Sequence, residues 1–133
     1  MSETKARFAG IAAGLVVAAA LAMPAPVQAQ SQQIQTATAN GAVLRVLDKI
    51  NGEIEDLRLP NGGAGVVWRM QIELGECRYP VGNPTGDAYA FVTLRQNGLD
   101  EPLFRGWMIA SAPALNALDH PRYDVWVIRC TTS

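Results

Sequence analysis

Around residue 120 the chain carries the side chains that a serine hydrolase uses. Ser111, His120 and Asp124, with Asp119 beside the histidine, could act as nucleophile, general base and orienting carboxylate. Ser111 lacks the Gly-x-Ser-x-Gly turn that exposes such a nucleophile, and a role as the cap of a short helix explains it better. We therefore assign no catalytic residue and expect no enzymatic activity. A periplasmic hydrolase or small-ligand binder that uses Ser111, His120 and Asp124 is the alternative function.

The sequence contains two cysteines, Cys77 and Cys130. In an oxidising compartment an isolated pair of this kind most simply forms a structural disulfide. A redox-active pair is usually spaced two residues apart beside a helix N-terminus, which lowers the pKa of one thiol. Neither condition is met, so we predict a structural bond between Cys77 and Cys130.

Metal and cofactor sites lack the residues that they need. One histidine and two cysteines cannot supply four nitrogen and sulfur ligands for zinc. Glu53, Glu55 and Asp56 lack the spacing of an EF-hand loop, and the glycines of 62–65 are not followed by the Lys-Ser/Thr of a phosphate loop. We expect no metal and no cofactor. A net charge of −1 also argues against a nucleic-acid partner, because binding to phosphates requires a basic surface.

Residues 1–29 have the three-part pattern of a secretory signal peptide. A short basic start precedes a run of apolar or small residues from Phe8 to Met23, and small residues precede a cleavage site between Ala29 and Gln30. An uncleaved membrane anchor is the alternative, but this run of 16 residues is shorter than the roughly 20 that span a bilayer. We expect cleavage, a periplasmic location and no integral membrane segment in the mature chain.

The mature chain divides into a lead-in and one domain. Residues 30–42 are polar and lack periodicity, which predicts a flexible segment, whereas residues 43–130 alternate between strand patterns and turn residues. Strands over 43–50 and 53–59 flank Asn51-Gly52, a pair that favours a hairpin with a type I′ turn. The β-rich domain therefore begins with a hairpin.

The next strand, over 66–74, shows the clearest alternation of apolar and polar residues. Trp68 lies on the same side as the apolar residues that follow it. Gly75 permits a β-bulge, which would turn Cys77 to that same side. We therefore predict a half-buried strand that leads into the disulfide.

Three more strands are predicted, over 88–96, 103–110 and 123–130. Between the last two, a short helix begins at Ser111 and is stopped by Pro121. The total of about six strands, one short helix and one disulfide predicts an all-β fold, a small β-sandwich or barrel.

The last two strands, 103–110 and 123–130, carry apolar residues on both faces, which is typical of central strands covered on each side. One of these faces could instead contact a partner. The predicted interaction surface has an apolar centre and a rim of arginine and tyrosine, and it consists of Arg105, Trp107, Arg122, Tyr123 and Trp126.

The end of the domain resembles a known family. Leu103 to Cys130 reads LFRGWMIASAPALNALDHPRYDVWVIRC and is similar to the signature end of exported alphaproteobacterial proteins with domain of unknown function 2155. Leu47–Gly52 (LDKING) resembles the family's opening motif, and Glu76–Tyr79 (ECRY) resembles its central cysteine segment. The resemblance implies two family cysteines, in keeping with the disulfide, and no established activity. Family members are often encoded beside an accessory-subunit homologue of respiratory complex I.

These observations favour a non-catalytic accessory or interaction module of an inner-membrane assembly, with a protein as its partner. Respiratory complex I is the assembly that the family's gene neighbourhood suggests. Besides the hydrolase, a structural protein associated with the cell wall is a further alternative.

Overall fold

The computed structural model describes residues 10, 12–17, 19–28 and 33–132. The chain divides into two units, Met1–Ser31 and Gln32–Ser133. Among the described residues, no helix has the length and apolar character that crossing a membrane requires. The predicted cleavage site at Ala29 and Gln30 lies outside the described residues.

Within residues 33–132 the chain forms eight β-strands in two antiparallel sheets. In chain order they are β1 (Thr36–Thr38), β2 (Gly41–Asp48), β3 (Ile54–Pro60), β4 (Ala64–Val67), β5 (Met70–Pro80), β6 (Tyr89–Gln96), β7 (Phe104–Ile109) and β8 (Tyr123–Thr131). The five-stranded sheet has the order β1-β5-β6-β7, with β4 also paired to β5. The three-stranded sheet has the order β3-β2-β8. The predicted all-β fold is confirmed, and it is a small sandwich.

The core is built from alternate residues of strands in both sheets. Its buried side chains include Leu44 and Val46 of β2, Ile72 and Leu74 of β5, and Leu94 of β6. This alternation is the two-residue period of a pleated strand, in which successive side chains point to opposite faces. Burying a side chain of this size contributes about 1.5–3 kcal/mol, so the core residues decide which face of each strand is turned inward.

Each cysteine is turned toward the core by a β-bulge. In β5 the pairing with β6 shifts register at Gly75, as predicted, and Cys77 is fully buried. In β8 the pairing with β2 skips Ile128, and Cys130 then lies opposite Ala42. Cys77 and Cys130 form the predicted disulfide, which joins the two sheets.

The predicted hairpin is present between β2 and β3, but its turn is not of type I′. Residues 49–53 connect the strands, and of the central pair Gly52 has a positive φ of +78° whereas Asn51 does not. A type I′ turn needs positive φ at both central residues. Side chains build a wider loop instead, because Asp48 and Asn51 each accept a hydrogen bond of 2.9 Å from the backbone N–H two residues further on.

The strand predicted over 66–74 is in fact two strands joined by a tight turn. β4 ends at Val67, β5 begins at Met70, and Trp68 and Arg69 form the turn. Trp68 has a φ of +50° and is 37 % exposed, so its side chain does not face the core as predicted. Positive φ at the first turn residue alone is the pattern of a type II′ hairpin, where glycine is favoured. The prediction failed because the apolar alternation continues through the turn.

The predicted helix between Ser111 and Pro121 is not formed, and the segment is a series of turns. Ser111 does not cap a helix, because its hydroxyl and its backbone N–H both donate to the Asp87 carboxylate, at 2.5 and 2.9 Å. Asn116 donates to the backbone carbonyl of Trp107 at 2.8 Å. So short a segment nucleates a helix poorly, and these contacts to the sheet replace it.

Part of the predicted flexible lead-in, residues 30–42, is paired in the sheets. Thr36–Thr38 form β1 beside β5, and β2 already begins at Gly41. The Arg78 guanidinium holds β1 by donating to the hydroxyls of Thr36 and Thr38, at 2.7 and 2.9 Å. These contacts are polar, so the strand produces no apolar periodicity and the sequence pattern did not predict it.

The strands predicted to be central, 103–110 and 123–130, are edge strands. β7 ends the five-stranded sheet and β8 ends the three-stranded sheet. Polar side chains occupy their free edges: Asn116 bonds to β7, and on β8 Asp124 accepts the N–H of Val125 at 2.9 Å. One backbone group on each free edge is therefore unavailable for pairing with a strand of another chain.

Candidate functional site

The five residues of the predicted interaction surface lie in three separate places. Arg105 and Trp107 point outward from β7 and are exposed. Trp126 of β8 belongs to the outward-facing set of the other sheet and is half-buried. Arg122 and Tyr123 lie at the end of the sandwich where β8 begins. The single patch that was predicted is therefore not formed.

The outer surface of β6 and β7 forms an aromatic face, which consists of Tyr89, Phe91, Arg105, Trp107 and Ile109. The register pairs Tyr89 with Ile109 and Phe91 with Trp107. The Phe91 and Trp107 rings meet edge to face with their centroids 5.4 Å apart. The Arg105 guanidinium lies 5.7 Å from the centre of the Phe91 ring, and Trp107 stays 39 % exposed. The face is therefore apolar with a cation at its border.

A shallow groove of about 240 Å³ crosses the aromatic face beside β1. Its lining residues are Thr36, Arg78, Tyr89, Trp107 and Ile109. Arg78 is fixed by its hydrogen bonds to β1, so its position does not depend on a ligand. The groove gives the aromatic face a concave part into which an apolar side chain could insert.

A buried carboxylate holds the end of the sandwich together. Asp48, the last residue of β2, is 2 % exposed, and it accepts two hydrogen bonds from the Arg122 guanidinium, at 2.9 and 3.0 Å. These bonds hold the pKa of Asp48 below its usual range, although burial acts in the opposite direction. The same contact raises the pKa of Arg122. The pair therefore stays ionised and locks β2 to the start of β8.

Stacked rings lie beside this ion pair. The Tyr123 ring stacks with Trp68 and with His120, at centroid distances of 5.8 and 5.3 Å. The Arg122 guanidinium lies 5.4 Å from the centre of the Tyr123 ring. Tyr123 is 3 % exposed, so it supports the fold from within and does not form the rim of a surface. The stack also explains how Trp68 is held at a positive φ that a bulky residue disfavours.

We expect Trp68→Gly to be more stable than Trp68→Ala, by about 1 kcal/mol. Both variants lose the ring that stacks on Tyr123, but only glycine adopts the positive φ of this turn without strain. The free energies of unfolding of the two variants, measured in urea, test this directly. A Trp68→Ala variant that is as stable as Trp68→Gly, or more stable, would contradict this prediction.

Ser111, His120 and Asp124 are not assembled as a catalytic triad. The Ser111 hydroxyl donates to Asp87 and not to His120. His120 Nδ1 accepts two backbone N–H groups at 3.0 Å, and its Nε2 lies 2.9 Å from the Gln96 side-chain oxygen. Asp124 bonds to the backbone of its own strand. Neither nitrogen of His120 is therefore placed to take a proton from the serine.

Two other features of the described residues bear on possible chemistry. Histidine, cysteine and carboxylate side chains in this part of the chain form no group of three that could hold a metal ion. A groove of about 380 Å³ beside Trp126 is lined mainly by apolar residues, among them Pro113, Ala114 and Ala117. Its carboxylate, Asp124, is already bonded to the β8 backbone. The absence of a metal and of a cofactor stays a prediction.

Comparison with known proteins covers most of the sandwich. The profile of a family described as an uncharacterized protein conserved in bacteria, domain of unknown function 2155, matches residues 42–130. The chain belongs to this family. A curated relative, an uncharacterized protein of Rickettsia prowazekii (strain Madrid E), is 29 % identical over 94 residues, which are 68 % of this chain. They are 60 % of that relative, so the chain spans less than two thirds of its length. No solved structure matches the chain.

The segments that resemble domain of unknown function 2155 meet inside the sandwich. The opening motif supplies Asp48, and the C-terminal stretch supplies its partner Arg122. The central cysteine segment and the C-terminal stretch also supply Cys77 and Cys130 of the disulfide. These four motif residues therefore hold the domain together, and the exposed aromatic residues are the better candidates for binding.

Sequence reasoning missed Tyr89, Phe91 and Ile109 as members of the aromatic face. A usable signal was present, because Tyr89 and Phe91 alternate with small aliphatic residues that face the core. The sequence pattern could not show that β6 lies beside β7. Only that pairing brings Phe91 against Trp107.

Proposed function

We propose that this protein is an exported, non-catalytic module that binds a protein partner through its aromatic face. The observation that carries the proposal is Trp107, which is 39 % exposed on a surface formed with Phe91 and Arg105. Tryptophan, tyrosine and arginine are the residues that most often dominate binding energy at protein interfaces.

Export is supported by two features. The start of the sequence has the pattern of a signal peptide. The disulfide between Cys77 and Cys130 is of a kind that persists in oxidising compartments such as the periplasm and is rare in the cytosol. A periplasmic location follows from the two together as part of the proposal.

The aromatic face is suited to a partner because its apolar side chains are ordered before binding. Phe91 and Trp107 support each other through an edge-to-face contact, so little side-chain freedom is lost when a partner covers them. Arg105 lies at the border of the face, where interfaces are polar. A stable interface buries about 1,000 Å² or more in total, so contacts would extend from this face to neighbouring residues.

The partner that we propose belongs to an assembly of the inner membrane. The gene neighbourhood of the family supports respiratory complex I as the first assembly to examine. Binding at the periplasmic side of such an assembly would need no membrane segment in the mature chain.

The test is affinity purification of the tagged protein from membranes solubilised in mild detergent, followed by mass spectrometry. We expect inner-membrane proteins, and complex I subunits first among them, to be recovered with the wild type. Trp107→Ala and Arg105→Glu should each reduce that recovery at least tenfold, because they remove an interface anchor and reverse a charge beside it.

Two matched variants control for non-specific effects. Trp126→Ala removes a tryptophan from the other sheet, and Arg69→Glu reverses the charge of an exposed arginine in the β4–β5 turn. Both should leave recovery unchanged. The proposal is contradicted if partner recovery is lost with Trp126→Ala but kept with Trp107→Ala. It is also contradicted if the wild type recovers no reproducible partner.

A further inference from the structure

Two exposed arginines stand on the outer surface of the three-stranded sheet, on either side of one valine. Arg58 of β3 and Arg129 of β8 are both register partners of Val43 in the middle strand β2. Neighbouring strands lie about 4.8 Å apart, so the two arginine Cα atoms are separated by roughly 10 Å. The bulge at Ile128 is what turns Arg129 outward, because the odd-numbered residue before it, Val127, is buried in the core.

The valine between them is covered although it lies outside the core between the sheets. Val43 is 6 % exposed. Its cross-strand neighbours on that surface are Arg58 and Arg129, whose aliphatic stems are the groups that can cover it. The two arginines therefore flank one covered position on the sheet.

These two charges, like those of Arg69 and Arg105, form no ion pair among the described residues. Arg45, Arg78, Arg95 and Arg122 each form an ion pair with a carboxylate. Asp56 is the acidic side chain of that sheet surface that feels the charge of Arg129, but both of its oxygens are bonded to Arg45, at 2.7 and 2.9 Å.

The two arginines line a common groove of about 290 Å³. Hydroxyl-bearing residues Thr85, Thr131 and Thr132 share its walls. We propose that this arginine groove binds a phosphate group. Two guanidinium groups and the hydroxyls of Thr131 and Thr132 offer donors to more than two oxygens, which suits a phosphate better than a carboxylate. Bound phosphate would also relieve the repulsion between two cations that face one space.

Inorganic phosphate is the first probe, titrated by calorimetry at constant ionic strength into the full chain with its disulfide intact. We expect saturable binding that becomes at least about tenfold weaker in Arg58→Gln and in Arg129→Gln, since each removes a charged hydrogen-bond donor. Arg69→Gln, which removes an exposed arginine elsewhere, should bind phosphate as the wild type does.

Vesicles distinguish a free phosphate compound from a lipid headgroup. Cosedimentation with phosphatidylglycerol vesicles, compared with phosphatidylcholine vesicles, is measured for the same variants. Phosphate binding without vesicle binding supports a free ligand, and vesicle binding that both groove variants lose supports a lipid headgroup.

Two results would overturn the proposal. The first is that neither phosphate nor the vesicles bind saturably. The second is that Arg69→Gln weakens binding as much as the groove variants do, because such a result would indicate general charge attraction. The aromatic face is unchanged in all of these variants. The result for the arginine groove is therefore independent of the result of the partner-recovery experiment.

Discussion

Replacing both cysteines, Cys77→Ser with Cys130→Ser, should lower the free energy of unfolding by about 2–5 kcal/mol. The bond links β5 of one sheet to β8 of the other across 53 positions of sequence. Without it the unfolded chain gains conformational freedom, and the two sheets are held by core packing alone. Urea denaturation of the oxidised wild type and of the double variant measures the difference.

The serine substitutions themselves need a control, because Cys77 is fully buried and a hydroxyl there would lack a partner. A double alanine variant and the reduced wild type provide it. All three proteins without the bond should unfold at clearly lower urea concentrations than the oxidised wild type. An unchanged midpoint in the reduced wild type would show that the disulfide does not stabilise the domain.

Gly41→Ala should cost about 3 kcal/mol of stability, near the upper end for overpacking. A Cβ at Gly41 would overlap the backbone carbonyl oxygen of Leu59 and lie 2.9 Å from the Cα of Pro60. β2 is the middle strand of its sheet, and Gly41 is paired with Pro60 on one side and Thr131 on the other. β2 therefore cannot shift without breaking backbone hydrogen bonds to β3 or to β8.

Gly65→Ala is the matched control for this prediction. The nearest atoms to a Cβ at Gly65 are the terminal methyl groups of Leu57, 3.0 Å away. A flexible side chain can shift by a few tenths of an ångström where backbone cannot, so the loss should be roughly 1 kcal/mol or less. The melting temperatures of the two variants test this comparison. If both variants lose the same stability relative to the wild type, backbone crowding at Gly41 does not explain the loss.

Local patterns in the sequence sufficed for the all-β class, for most strands and for the disulfide. Two-residue alternation reports which side of a strand is apolar, and this needs no knowledge of neighbouring strands. The bulge at Gly75 was also predictable, because Cys77 would otherwise sit on the polar side of its strand. The aromatic face was predicted only as Arg105 and Trp107, since their partner strand could not be inferred.

The errors fall where residues distant in sequence meet. Trp68 occupies a turn position that favours glycine because its ring stacks on Tyr123. The segment after Ser111 is not helical because its polar groups bond to Asp87 and to the edge of β7. Local propensities are worth a few tenths of a kcal/mol per residue, so a few such contacts outweigh them.

Strand alternation and cysteine pairing are thus properties of the sequence of this domain, because they depend on side-chain chemistry repeated over a few residues. Sheet order is a property of the folded chain. It places β7 and β8 at edges, brings Phe91 beside Trp107, and sets Arg58 and Arg129 around one valine. The candidate binding surfaces consist of such cross-strand neighbours, and the free energy that selects among pairings comes from burying the whole core at once.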